Sequence, residues 1–303
     1  MRIDDKLTNN AARQQQASNR EEEEMPSDVI SGWERSRRVH FDEIATLYDK
    51  ARPGYPDELF QDILAYSGHT AGGNALEIGA GTGKATLPFL EAGYSITAVE
   101  INPNMAVLLA ERYYRWQGLR VIVSSFEEAE LAEDSFNLIF AANSYHWVDP
   151  EIGTARVYRL LKNGGTIALF RYNAVPAIGD ELYEEIQAAY AAHYYVYYTS
   201  SPSLQRVERS DFWTPHELQR GFRIDNLQSY GFVDVTGKLY DGSRVFETDD
   251  YIEYLETMSD HRALPESNRH ALYNAVREAI MRHGGKVQQD YIYQLYMGRK
   301  EGD

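Results

Sequence analysis

Cysteine is absent from the 303-residue chain, and this absence excludes several kinds of chemistry. Without thiols the protein has no disulfide, no thiolate metal site and no cysteine nucleophile. The eight histidines are scattered, and they form neither a pair at helical spacing nor a cluster with carboxylates. We therefore expect no metal site.

Long apolar runs are missing as well. No stretch approaches the ~18 uninterrupted apolar residues of a membrane span, and the N-terminus has no apolar run of the signal-peptide type. The sequence thus predicts a soluble, cytoplasmic protein with no membrane partner. A hydrophobic content of 43% is nevertheless enough for a sizeable core.

Positive charge is scarce, since 30 Lys and Arg stand against 46 Asp and Glu, for a net charge of −16. A polyphosphate partner would be repelled at long range. The compact basic run at 33–38 lacks aromatic side chains that alternate with the charges and stack on bases. We therefore expect no nucleic-acid partner, and the sequence leaves the oligomeric state open.

The most informative stretch runs from Ala75 to Glu100 and is typical of a strand, a glycine loop, a helix and a second strand that ends in an acid. Gly79, Gly81 and Gly83 allow a sharp turn and bring bare backbone N–H groups near a ligand. Glu100 follows Gly83 by 17 residues, close to the roughly 20 expected of an acid that binds a ribose. An adenosine-type ligand is therefore indicated.

The glycine spacing and a nearby acid bear on which ligand this is. A dinucleotide fingerprint would have glycine at the sixth position counted from Gly79, where this chain has Lys84. Glu77, two residues before Gly79, would repel a pyrophosphate and attract a cationic ligand. A dinucleotide-dependent oxidoreductase is thus the first alternative, and a non-catalytic cofactor-binding sensor or assembly protein is the second.

Four landmarks resemble the class I methyltransferases that use S-adenosylmethionine. The sequence of 77–83, Glu-Ile-Gly-Ala-Gly-Thr-Gly, resembles their motif one, and 41–56, 144–150 and 160–166 are similar to further landmarks of the small-molecule branch. The resemblance covers roughly residues 40 to 172. It implies a Rossmann-like, seven-stranded, mostly parallel sheet flanked by helices, and direct in-line methyl transfer from S-adenosylmethionine to a small organic acceptor whose identity stays open.

The resemblance also implies a cofactor site. The three glycines would admit the methionyl part, Glu100 would hold the ribose, Ile101 would cover the adenine ring and Glu77 would lie beside the loop. Where the family often has an aspartate after the third strand, this chain has Ser125, which can be a plain turn residue. Further positions assigned to the cofactor are Tyr48, Arg52, Phe126 and Asn143, with Arg52 either pairing the ligand carboxylate or ending its helix in solvent.

Acceptor chemistry is expected at the end of the fourth strand and in a tyrosine-rich segment. His146 is a candidate general base, although an acidic acceptor needs none. Trp147 would line the same edge. Tyr183, Tyr190 and Tyr194 share one helix face, and they either form a buried stripe or line the acceptor pocket.

The order of elements gives the expected organisation of the chain. Strands are predicted near 74–79, 95–100, 119–123, 136–142, 165–171, 232–236 and 291–297, and helices over 150–162, 180–198, 214–221, 248–258 and 266–283. The resemblance implies that the last strand runs antiparallel. The predicted parts are a flexible tail over 1–28, a core with N-terminal helices over 29–172, an inserted helical lid over 173–228, and the completion of the core over 229–303.

Overall fold

The computed structural model describes residues 38, 41–68, 72–198, 212, 214, 221–222, 224 and 226–302. The tail predicted over 1–28 lies outside the described residues, as do much of the lid expected over 173–228 and most of the helix expected over 214–221.

Seven strands form one sheet with the order β3-β2-β1-β4-β5-β7-β6. The first five run parallel, whereas β7 lies antiparallel between β5 and β6. The predicted seven-stranded, mostly parallel sheet with an antiparallel last strand is therefore confirmed. The strands are β1 Asn74–Ile78, β2 Ser95–Glu100, β3 Leu119–Val123, β4 Phe136–Ala142, β5 Leu161–Ala174, β6 Phe232–Glu247 and β7 Lys286–Lys300.

Helices pack on both faces of this sheet. They are α1 Ala45–Ala51, α2 Asp57–Ser67, α3 Leu87–Glu91, α4 Pro103–Arg112, α5 Gly153–Leu160, α6 Glu181–His193, α7 Thr248–Glu256, α8 Ser259–Ala263 and α9 Glu266–Arg282. Along β4 the side chains alternate between two hydrophobic cores, with Leu138 and Phe140 in one and Ile139 and Ala141 in the other. This period of two is what a strand buried on both faces requires.

The helix expected over 150–162 is shorter than its sequence signals suggest. Asp149 does not cap a helix at Pro150, because its side chain accepts from the Glu151 N–H in a turn (3.0 Å) and α5 begins only at Gly153. Gly164 and Gly165, which follow the expected helix in the sequence, lie within β5, whose pairing with β4 shifts between Phe136 and Leu138. Gly164, at φ 73°, allows the backbone of this irregular stretch.

The antiparallel pair β6 and β7 is much longer than predicted. Its register continues from Phe232 opposite Lys300 to Glu247 opposite Lys286. Beyond 236 the strand β6 carries mostly polar or exposed side chains, so its hydrophobic pattern is weak, and pairing with β7 extends it. In the tyrosine-rich segment, α6 ends at His193 and turns follow as far as Tyr198.

Candidate active site

A cavity of about 470 Å³ lies at the carboxyl ends of the parallel strands. Its wall includes Ile78 at the end of β1, Glu100 at the end of β2 and Ala142 at the end of β4. Open α/β sheets bind their ligands at this edge, and the volume lies within the roughly 300–1,000 Å³ of small-molecule sites. Helix α1 and the junction between α7 and α8 complete the wall with Tyr48 and Ser259.

The glycine loop after β1 passes closely beside the segment that follows β4. Gly79 has φ 64°, and a Cβ built there would lie 2.7 Å from the Cβ of Ser144. Ser144 in turn donates a hydrogen bond to the Ile78 carbonyl (2.5 Å). Gly79 and Gly81 line the cavity, whereas a Cβ on Gly83 would collide with Leu109. Gly83 therefore allows the loop to pack on α4.

Glu100 anchors the loop and the start of α4 through one carboxylate. Its Oε2 accepts from the Gly81 N–H (2.7 Å) and its Oε1 accepts from the Asn102 N–H (2.8 Å). Burial raises the pKa of Glu100, and these backbone hydrogen bonds oppose the rise. The carboxylate lines the cavity, and Oε2 is the oxygen that a ribose hydroxyl can use, because Oε1 also accepts from Asn102 Nδ2.

Asn102 supplies an unsatisfied polar atom at the same place. Its Nδ2 donates to Glu100 (2.7 Å), but its buried Oδ1 has no partner among the described residues. A buried acceptor of this kind costs about 1–3 kcal/mol unless a ligand donor satisfies it. Beside it the cavity is lined by the apolar side chains of Ile101, Met105 and Phe126, so this end suits a flat, hydrogen-bonding base with its sugar.

The predicted site residues that follow β3 and β4 also line the cavity. Ser125 donates its hydroxyl to Glu128 (2.9 Å), which holds the turn after β3. Asn143 lines the wall with φ 55°, an uncommon conformation for a residue other than glycine. His146 and Trp147 follow in a short 3₁₀ turn, with ring centroids 5.1 Å apart, and both line the cavity.

Arg52 provides a cation in the wall of the same cavity. Its guanidinium donates to the Tyr172 hydroxyl (3.3 Å) and the Thr257 carbonyl (2.8 Å). It also lies 5.4 Å from the ring centres of Tyr48 and Tyr254. Within the described part of the chain no carboxylate pairs with it and its buried Nε has no acceptor. This arrangement leaves a positive charge available for an anionic ligand group.

Glu77 lies in β1, two residues before Gly79, and lines a second, small cavity of about 30 Å³. Its Oε2 accepts a hydrogen bond from Thr86 (2.6 Å), and its Oε1 has no partner among the described residues. Burial raises the pKa of Glu77 to about 8, opposed by the Thr86 hydrogen bond and increased by the negative charge of Glu100. A nearby positive charge would favour the ionised form.

The tyrosine-rich segment packs away from the cavity lining. The hydroxyl of Tyr190 bonds His261 Nε2 (3.1 Å) and that of Tyr194 donates to Asp260 (2.5 Å). Tyr183, Tyr190 and Tyr194 are not among the described residues that line the cavity. Their assignment to the acceptor pocket stays a prediction, and the contacts seen are those of a structural stripe that joins α6 to α8.

Several lining residues were not predicted from the sequence. Asn102 had a local signal, since it lies two residues after Glu100 and directly precedes the proline that begins α4. Others come from distant parts of the chain and had no signal in the motifs; they include Arg171, Tyr172, Asn173, Tyr254, Met258 and Ser259. Among the described residues, no group of three or more His, Asp or Glu is placed to hold a metal ion. No helix in the described ranges is long and apolar enough to cross a membrane.

Comparison with known proteins gives matches to methyltransferases. The family described as a methyltransferase domain matches residues 76–169. An uncharacterized methyltransferase of Mycobacterium tuberculosis is 31% identical over 135 residues, which are 45% of this chain and 53% of that protein. A probable S-adenosylmethionine-dependent methyltransferase of Saccharomyces cerevisiae is 30% identical over 131 residues, 41% of this chain and 44% of that one. The chain thus spans about half the length of the curated relatives it matches.

Solved structures share the fold at low sequence identity. A putative type II methyltransferase from Anaeromyxobacter dehalogenans has a TM-score of 0.54 at 20% identity, covering 83% of this chain and 99% of that one. Phosphoethanolamine N-methyltransferase 2 of Haemonchus contortus has a TM-score of 0.51 at 15% identity, covering 90% of this chain and 61% of that one. At these identities the likeness establishes the fold.

Proposed function

We propose that the protein, whose residues 76–169 match the family described as a methyltransferase domain, transfers a methyl group from S-adenosylmethionine to a small organic acceptor. The observation that carries this proposal is the distribution of charge around one cavity. Glu100 lines this cavity, where it can accept a ribose hydroxyl, and Arg52 lines the same cavity without a described carboxylate partner.

The cofactor fits the chemistry of the residues that line the wall. Adenine would lie against Ile101 and Phe126, and its sugar would hydrogen-bond Glu100. The methionyl carboxylate would pair with Arg52, and Glu77 would contribute negative charge on the loop side. The Haemonchus protein was solved with S-adenosylhomocysteine, and the yeast relative carries an S-adenosylmethionine-dependent name. Both names support this choice of cofactor.

The bound cofactor supplies the electrophilic methyl group, and the residues of this chain supply position and exclusion of water. Holding the acceptor in line with the S–CH₃ bond converts a bimolecular encounter into a local one, which accounts for much of the barrier reduction in such reactions. The rings of Tyr48 and Tyr254 add aromatic faces that attract a sulfonium. That attraction stabilises the reactant, so catalysis depends on geometry.

The acceptor would occupy the part of the cavity walled by Trp147, Ala174, Met258 and Ser259. His146 lines the same cavity and would take the proton of a hydroxyl or amine acceptor. The confined volume favours a small molecule over a polymer, and the net charge of −16 disfavours nucleic acid. We further propose that the protein acts in the cytoplasm, in accord with a chain without cysteine.

Calorimetric titration of the purified protein with S-adenosylhomocysteine, and separately with NADH, tests the proposal. We expect micromolar binding of the first and none of the second. Binding of NADH alone would instead favour the oxidoreductase that the glycine spacing argues against. Binding of S-adenosylhomocysteine without methyl uptake by any of a panel of small acids, phenols and amines would favour a sensor.

A further inference from the structure

The carboxylate of Asp49 joins three elements beside the cavity, and the proposed chemistry does not use it. It accepts a hydrogen bond from the Thr82 hydroxyl in the glycine loop (2.6 Å) and another from Arg112 at the end of α4. The ammonium group of Lys84 lies 3.9 Å away. A residue of α1 is thereby attached to the loop and to the helix that follows β2.

Arg112 completes a closed set of contacts. Its Nη1 donates to the Thr82 carbonyl (2.9 Å) while its Nη2 donates to Asp49. Burial raises the pKa of Asp49, but hydrogen bonds from Thr82 and Arg112 outweigh it and leave that pKa below its usual value. The aspartate is therefore ionised at neutral pH, where charge-assisted hydrogen bonds are stronger than neutral ones.

The position of α1 determines the shape of the methionyl end of the cavity. Tyr48 belongs to α1 and Arg52 directly follows its last residue, and both line the cavity together with Gly79 and Gly81. Asp49 lies next to Tyr48 in the chain and connects α1 to the loop that carries these glycines. A change in the distance between α1 and the loop would therefore move the Arg52 guanidinium relative to the cofactor.

We propose that Asp49 is a positioning residue that, with Thr82 and Arg112, fastens α1 against the glycine loop over the methionyl end of the cofactor and slows its release. We call these three residues the Asp49 clasp. The assignment of the cavity to S-adenosylmethionine comes from the proposed function, and the proposal about release depends on it. The fastening itself does not, so it can be tested without a ligand.

Asp49→Asn removes the charge and keeps the shape of the side chain, and Lys50→Gln provides a matched control. Lys50 neighbours Asp49 on α1, and its ion pair reaches Glu253 on α7 (2.6 Å) rather than the loop. A third variant, Arg112→Met, opens the same clasp from α4. Thermal unfolding midpoints of the three variants establish that each one folds.

Hydrogen exchange of the ligand-free protein measures the fastening. We expect the amides of 80–86 and 45–51 to exchange faster in Asp49→Asn and in Arg112→Met than in the wild type. Lys50→Gln should leave the exchange of 80–86 unchanged. Unchanged exchange of 80–86 in both clasp variants would overturn the proposal, whether or not any cofactor binds.

Binding of two probes then measures the effect on the cofactor. S-adenosylhomocysteine has the methionyl part, whereas adenosine has only the base and sugar. For Asp49→Asn we expect the dissociation constant of S-adenosylhomocysteine to rise about ten-fold, mainly through faster dissociation, with that of adenosine changed less than about two-fold. An equal loss for both probes, or the same loss in Lys50→Gln, would overturn the positioning role.

Failure of the proposed function and failure of the Asp49 clasp would give different results. If the wild type binds neither probe, the proposed function fails, and the proposed effect on release fails with it, while the exchange data still decide whether the clasp exists. If the wild type binds both probes and Asp49→Asn binds each of them as tightly as the wild type does, only the clasp proposal fails.

Discussion

Glu100 holds two parts of the protein in place through one carboxylate, since Gly81 and Asn102 donate to its two oxygens. Its position at the end of a strand was readable from the sequence. Its contact with the loop, which orders the backbone around the ligand, was not. A residue at the end of a strand thus has a structural role here, beside the binding role that we propose for it.

Replacing Glu100 by Ala should weaken the binding of S-adenosylhomocysteine. The loss of one or two charge-assisted hydrogen bonds, about 1.5–3 kcal/mol each, predicts a rise in the dissociation constant of at least about ten-fold. Calorimetry measures it. Glu111→Ala, at an exposed glutamate of α4, is the control with the same change in charge. An unchanged dissociation constant would remove Glu100 from the site.

Glu77 predicts a dependence of stability on pH. Its folded pKa of about 8 lies above the ordinary value of 4.5, so the folded protein binds the extra proton between these two values. Stability should therefore fall as pH rises from 4.5 to 8 and stay level above that range.

Glu77→Gln removes this titration, and near pH 8 the variant should be more stable than the wild type by about 1–3 kcal/mol. Chemical denaturation of both proteins at pH 5, 6.5 and 8 measures the difference. A difference that does not grow with pH would contradict the raised pKa.

His146 lines the cavity, but its role as a base is still a prediction. If it removes a proton, His146→Ala should abolish the acidic limb of the rate–pH profile for a hydroxyl or amine acceptor. Steady-state rates from pH 5 to 9 measure this. An acidic limb that persists in the variant would leave His146 as part of the wall.

At the scale of elements, α6 is joined to α8 by tyrosine hydroxyls. Tyr194 donates to Asp260, whose other oxygen has no partner among the described residues. Tyr194→Phe should therefore destabilise the protein by about 1–3 kcal/mol, because a buried carboxylate loses a donor.

Denaturant unfolding measures this loss, with Tyr195→Phe on the neighbouring residue as the control. Unchanged stability together with a raised KM for an acceptor would return Tyr194 to the acceptor pocket. The same outcome would support the function expected for this segment from its sequence.

Elements differ in how well local sequence predicts them. The strands β1 to β4 were predicted within about one residue, because each is an apolar run bounded by glycine or polar turns. The start of α5 was missed, since Asp149 turns back on Glu151 instead of capping a helix. The extension of β6 to Glu247 arises from its pairing with β7 and has no counterpart in its hydrophobic pattern.

At the scale of the whole molecule, the excess of negative charge dominates. With a net charge of −16, mutual repulsion should destabilise the folded state at low ionic strength and weaken as the Debye length shortens to about 8 Å at physiological salt. The unfolding midpoint should therefore rise as sodium chloride is increased from 10 to 150 mM, a change that shortens the Debye length about three- to four-fold. Calorimetric scans measure this midpoint. A falling midpoint would show that attractive ion pairs outweigh the repulsion.

The sequence alone determined the sheet class, the glycine loop and Glu100, because each depends on residues that are close together in the chain. The tertiary structure decided which distant residues form the remaining wall. Tyr254 and Ser259 reach the cavity only because α7 and α8 pack beside α1, and Asp49 reaches Thr82 and Arg112 only when the loop folds against α4. Contacts between residues so far apart depend on how the helices pack, and no local pattern of residues encodes them.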